Sequence, residues 1–246
     1  MKSAISTSII AVLAMLTVCS SALAEGSYAK IDWLGSYVFG NGFQAYENPV
    51  FQAEIGHEFK NGFGGSIWGS LPAGLQSIGD NAATEVDVCA WYHYGLATLG
   101  ISYFSIFPDN GDFHKNDVWQ LNGDISKDFN FGSIVVTPGF RAEYNMPVDG
   151  TYSQETTGLY LIPRINFSAK LSERWQANVM TKFEGDLGGY GAQKALVILV
   201  APGLTWKISD TLTANASVSM YFPSLAKSSD SRENELVPRI GISKSF

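Results

Sequence analysis

Cysteine is nearly missing from this chain: of 246 residues, only Cys19 and Cys89 carry a thiol. Cys19 falls in an N-terminal stretch that reads as a removable leader. The single cysteine left behind excludes an intramolecular disulfide framework. Histidine is limited to His57, His93 and His114. None has a Ser and an Asn or Asp at an evident spacing, and no Cys/His zinc cluster, phosphate-binding glycine loop or nucleophile elbow appears, so no catalytic residue, metal or cofactor is expected. Basic residues are also short, 16 Lys and Arg against 23 Asp and Glu. Nucleic acid needs a basic footprint and is excluded as a partner. Beyond the leader the longest apolar run is Ala195 to Pro202, far below the ~20 residues of a spanning helix.

What is present begins with that leader. Lys2 supplies a positive start, Ile9 to Val18 an apolar stretch, and Ala22, Leu23 and Ala24 a small-x-small cleavage pattern. The apolar stretch is short for an anchor, and Val18 is large for the residue before a lipoprotein cysteine. We expect residues 1–24 to be a cleaved signal peptide and residues 25–246 a single domain. Without Lys2 the balance is 15 bases to 23 acids, about −8. An exported chain that enters a membrane without an apolar helix has one way to satisfy its backbone there, a closed β-barrel. The competing architecture is a soluble β-sandwich, whose strands also alternate.

The joins discriminate between these. Period-two patterning predicts twelve strands: Tyr28 to Phe39, Val50 to Phe59, Phe63 to Leu71, Thr84 to His93, Leu96 to Ile106, Asp117 to Lys127, Gly132 to Asn145, Thr157 to Leu171, Trp175 to Gly185, Lys194 to Ile208, Leu212 to Phe222 and Glu235 to Phe246. Ten strands result if one hairpin is misread. Tight joins at Lys60-Asn61-Gly62, Tyr94-Gly95, Asp128 to Phe131, Ser172-Glu173-Arg174 and Ser209-Asp210-Thr211 alternate with longer polar segments at Gly40 to Pro49, Pro72 to Ala83, Phe107 to Asn116, Met146 to Thr156, Asp186 to Gln193 and Pro223 to Asn234. Short turns on one side and long loops on the other are the plan of an antiparallel up-and-down transmembrane barrel, with both termini on the short-turn, periplasmic side.

Face assignment follows from alternation. Ile134, Val136, Pro138, Phe140, Ala142 and Tyr144 oppose Val135, Thr137, Gly139, Arg141, Glu143 and Asn145, which puts the apolar set in lipid and the polar set in the interior. Trp33, Tyr37, Phe39, Tyr92, Tyr94, Phe104, Tyr144, Trp175, Trp206 and Phe222 are assigned to the lipid side, many near strand ends, as interfacial girdles require. The expected interior charges are Lys30, Asp32, Glu54, Glu58, Glu85, Asp87, Asp124, Arg141, Glu143, Arg164, Lys170, Lys182, Glu184, Lys207 and Arg239. Acids dominate the earlier strands and bases the later ones, so the two walls should set up a transverse field across a pore. Arg141 and Arg164, on neighbouring strands, could grip a carboxylate together, or Glu143 could neutralise them. Glu85 and Asp87, two apart on one face, could hold a cation such as calcium or form a solvated wall. Trp68 and Tyr160 would suit a stacking solute.

The final strand sets Leu236, Pro238, Ile240, Ile242, Lys244 and Phe246, a largely apolar side, against Val237, Arg239, Gly241, Ser243 and Ser245, and its terminal aromatic resembles the C-terminal signal of bacterial outer-membrane β-barrels. The segment Ile55-Gly56-His57-Glu58-Phe59-Lys60-Asn61-Gly62-Phe63-Gly64 resembles a hairpin of the oligogalacturonate-specific porins. That resemblance implies a monomeric twelve-stranded barrel in the outer membrane, among lipid and lipopolysaccharide, passing small hydrophilic solutes that could include acidic oligosaccharides. The arginine stripe of that family is thin in this chain. A nucleoside-type channel, a non-conducting structural barrel and an outer-membrane lipid-modifying enzyme are the alternative expectations.

Overall fold

The computed structural model describes residues 26–38, 44–73, 85–106, 117–148, 157–188, 195–223 and 233–246. The expected leader, Phe39, His114, Lys194 and most of each expected long loop lie outside the described residues.

The described strands are β1 (Ser27–Leu34), β2 (Tyr37–Val38), β3 (Gln44–Tyr46), β4 (Val50–Glu58), β5 (Phe63–Pro72), β6 (Glu85–Tyr94), β7 (Ala97–Ile106), β8 (Val118–Ser126), β9 (Phe129–Phe131), β10 (Ile134–Pro147), β11 (Gly158–Lys170), β12 (Trp175–Asp186), β13 (Ala195–Lys207), β14 (Leu212–Pro223) and β15 (Glu235–Ser245). All main-sheet pairings are antiparallel between sequence neighbours, apart from the seam where β1 joins both β4 and β15. That seam closes the main sheet into a barrel of twelve strands, counting β8 and β9 as one, in which the first and last strands both find partners.

Burial is inverted relative to a water-soluble domain. Ile67, Leu99, Leu121 and Ile240 are exposed on the outer face, Ile240 by 60%, whereas Gln120 on the inner face is 1% exposed. A soluble sandwich would hide the first set and hydrate the second. Rings gather toward the ends of the outer face: at the turn end Trp175 stacks on Trp206 with centroids 5.7 Å apart and Phe63 packs on Tyr92 at 4.6 Å, and at the loop end Tyr103 packs on Trp119 at 4.9 Å. Indoles and phenols there place an amphipathic ring at each boundary between apolar and wet surroundings.

The structure departs from the patterned strands in two places. The strand expected from Tyr28 to Phe39 stops at Leu34. The Gly35 N–H still bonds the Pro238 carbonyl at 2.9 Å. A Cβ on Gly35 would meet the Pro238 ring at 2.8 Å, so only a glycine lets the chain pass there. Beyond Gly35-Ser36 the chain leaves the wall, and Tyr37–Val38 pairs with Gln44–Tyr46 in a separate two-stranded sheet. The change of direction carries Tyr37 to the inside, against its expected lipid-facing position.

The turn expected over Asp128 to Phe131 is instead β9, which keeps the register of β8 against β10. The two are divided at Lys127-Asp128 because Lys127 donates to the Pro138 carbonyl but Pro138 has no N–H to return. The actual reversal is Gly132-Ser133, with Gly132 at φ 66°. Nothing lies within 4 Å of a Cβ built on Gly132. Gly132→Ala should therefore cost only the left-handed backbone strain, about 1 kcal/mol, read from urea unfolding with no change in the rest of the barrel.

Candidate functional site: the barrel interior

Even-numbered residues of β1, β4, β5, β7, β8, β11 and β12, and odd-numbered residues of β6, β10, β13, β14 and β15, face inward, as the cross-strand register requires. Phe104 pairs with Asp87 and so belongs to the inner face rather than the lipid side. The interior is divided along its axis. Toward the loop end Val50, Gln120, Asn145, Tyr160, Glu184, Asp186 and Val197 are fully buried. Toward the turn end Asp124, Asn166, Met180 and Asn215 are partly exposed, and Gln176 and Lys207 exposed.

At the waist the charges are joined in pairs rather than ranged on opposite walls. Asp32 accepts from Arg239 Nε at 2.9 Å and Nη2 at 2.6 Å, and Lys30 Nζ lies 3.2 Å away. Arg164 makes a two-pronged contact with Asp124 by crossing over Gly139, whose missing side chain leaves room for the guanidinium. Arg141 pairs with Glu143, and Lys182 lies 3.8 Å from Glu184. The expected transverse field is thus largely cancelled locally, because an uncompensated charge inside the wall would cost several kcal/mol. Arg141 and Arg164 are each engaged by a carboxylate of the protein and do not form one joint clamp. Glu143 also accepts from Gln120 Nε2 at 3.1 Å, which bonds Asn145 Oδ1 at 3.0 Å. This amide network was not singled out from sequence, although alternation alone places Gln120 and Asn145 on the inner face.

The remaining acids have other partners. Glu54 accepts from the Tyr28 hydroxyl at 2.7 Å, and Glu58 lies 3.4 Å from His93. Glu85 accepts from the Tyr37 hydroxyl. Glu85 and Asp87 are 7% and 9% exposed, which corrects the expectation of a solvated wall: the inward hairpin covers them. Trp68 and Tyr160 are covered too. Trp68 packs against the cluster of Tyr37, Tyr46 and Val50, and Tyr160 is buried in the loop half. At the turn end Lys207 is half exposed and pairs with Asp210 at 2.8 Å, while Lys170 pairs with Glu173 at 2.7 Å. These lysines hold the Asp210 and Glu173 carboxyls below the usual range, chiefly by hydrogen bonding. Both bases sit at the rim.

One pairing was not legible in the sequence. Ser27 Oγ lies 2.8 Å from His57 Nδ1 on the outer face near the turn end. Among the described residues no carboxylate pairs with His57, whose ring instead meets Phe59 edge-on at 4.3 Å. A nucleophile needs a base that is itself oriented, and that third group is missing from this pair. His93 bonds Thr98 Oγ1 at 2.8 Å. Among the described residues no three His, Cys, Asp or Glu side chains converge as a metal centre.

No protein-family model matches the chain, and no curated protein sequence does. Solved structures do share its fold. The NanC porin superposes with a TM-score of 0.55 over 89% of this chain and 100% of its own, at 13% identity. The KdgM porin in complex with disordered oligogalacturonate gives 0.53 over 89% and 99%, also at 13% identity. A bacterial polysaccharide outer-membrane secretin gives 0.52 over 91% and 99%, at 9% identity. The fold of this chain is therefore that of small outer-membrane barrels.

Proposed function

We propose that this chain is a monomeric outer-membrane channel, exported with a cleaved leader over residues 1–24, that passes small hydrophilic solutes by diffusion between lipid and lipopolysaccharide. The observation that carries this reading is the pairing of charges on the inner face of a closed cylinder whose outer face is apolar. Such a waist offers passing solutes alternating donors and acceptors without gripping any of them tightly. Lys30, Asp32, Asp124, Arg141, Glu143, Arg164, Lys182, Glu184 and Arg239 would line it, with Lys207 at the rim. Every one of these bases has a carboxylate within 4 Å. Among the described residues Glu54, Glu85 and Asp87 have no basic partner. That balance favours neutral or cationic solutes over acidic oligosaccharides. No covalent chemistry belongs to this reading.

Purified protein in planar bilayers should give discrete conductance steps, with a reversal potential in a KCl gradient on the cation-preferring side. Replacing both Arg141 and Arg164 with Ala frees Glu143 and Asp124, and should move that potential further toward ideal cation selectivity. Folded protein that gives no steps would sink the channel reading. The close packing of the loop half favours one second reading, a structural barrel whose interior stays shut, and that outcome would establish it.

A further inference from the structure

We propose that Glu85, Asp87 and Ser70 form a binding site for a hard divalent cation of the calcium type, beneath the inward hairpin. Alternate positions on β6 put both carboxylates on the inner face, and Ser70 lies directly opposite Glu85 across the β5–β6 ladder. Asp87 and Glu85 are in hydrogen-bonding contact with each other. Ser70 is 1% exposed, and its Oγ, like Asp87 Oδ1, has no hydrogen-bond partner among the described residues. A buried polar atom without a partner is costly. An orphaned hydroxyl across the ladder from a carboxylate pair that itself holds an orphaned oxygen, with no base paired to either acid among the described residues, points to a shared positive ligand.

The donor set selects its class. Two carboxylates and a hydroxyl are hard oxygen ligands, unsuited to soft metals. Bonds of 2.3–2.6 Å to one ion place neighbouring oxygens about 3 to 3.5 Å apart, which matches carboxylates in hydrogen-bonding contact. Calcium tolerates an irregular shell completed by water, whereas magnesium demands a near-ideal octahedron. The Tyr37 hydroxyl donates to Glu85 Oε2, so an ion held here also steadies the hairpin. Trp68 lies opposite Asp87 in the register and serves as a reporter.

The site is independent of whether the barrel conducts, and its test uses chelator-washed full-length protein in detergent. Terbium should show saturable luminescence when tryptophan is excited, displaced by calcium with a midpoint of about 0.1–1 mM, the range of weak extracellular sites. The isosteric pair Glu85→Gln with Asp87→Asn should lower that emission at least tenfold. Emission within twofold of the parent, which would place the terbium elsewhere, or no saturable emission from the parent, as expected if the carboxyls share a proton, would overturn the proposal. If the double variant does not fold, Ser70→Ala decides: a roughly threefold weaker calcium displacement supports the site, and an unchanged one overturns it.

Discussion

Protein lacking residues 37–46, with Ser36 joined to Glu47, should conduct several-fold more current per channel than the intact chain. Tyr37 and Tyr46 form a buried cluster with Val50, packed against Leu34 and Trp68. The Tyr37 ring sits 6.4 Å from Trp68, and its hydroxyl reaches Glu85 on β6. At the other side Gln44 Nε2 donates to Glu235 on β15 at 3.2 Å. The hairpin therefore spans an arc of wall from β6 to β15, and its rings occupy the part of the interior where inward residues are buried. Conductance is governed by the narrowest section, so removing these rings widens the pore where it matters most. Gly35, Ser36, Glu47, Asn48 and Pro49 would remain between β1 and β4, a five-residue loop of ordinary hairpin length. Glu85 and Asp87 would lose their cover, so cation preference should rise together with conductance. Single-channel recording decides the matter: unchanged step size would place the constriction elsewhere.

The barrel was legible in the sequence because two different surroundings act on the two faces of every strand. Ile134 and Phe140 alternate with Val135 and Arg141 whatever the neighbouring strands are, and turn residues mark Lys60 to Gly62 and Ser209 to Thr211. The hairpin was not legible for the same reason. Trp33, Tyr37 and Phe39 preserve a period of two straight through Gly35-Ser36. At the departure the backbone passes so close to the Pro238 ring, 203 residues away, that the position has room for no side chain. At Asp128 to Phe131, turn-forming residues lost to a ladder already in register with β10, and the positive φ of Gly132 fixed the reversal instead. Parity identified which charges face inward. It could not show that they pair, since Arg164 on β11 reaches across β10 to Asp124 on β8. Such contacts depend on which strands are neighbours and where a glycine leaves space, as Gly139 does, and neither is written in the local pattern.

Asp32→Ala should destabilise the folded barrel by about 3 kcal/mol, the low end of the range for breaking a buried ion pair. The low end applies because the Arg239 side chain keeps 34% of its surface exposed, whereas that of Asp32 keeps 3%. Asp32 sits where the first and last barrel strands meet. This seam joins residues 207 apart in sequence and is the pairing that must overcome the largest loop-closure entropy. Removing the carboxylate leaves a guanidinium and the Lys30 ammonium facing each other inside the wall. A Cβ at Gly241 would run into Asp32 Oδ1, so Gly241→Ala should displace the carboxylate and produce a similar loss. Converting the pair together, Asp32→Leu with Arg239→Met, should recover most of the stability. Apolar side chains of similar volume carry no desolvation penalty, and the Lys30 side chain, 31% exposed, keeps its contact with water. Urea unfolding followed by tryptophan fluorescence gives all three values. A loss below about 0.5 kcal/mol for Asp32→Ala, the level of an exposed ion pair, would show that backbone pairing alone holds the seam.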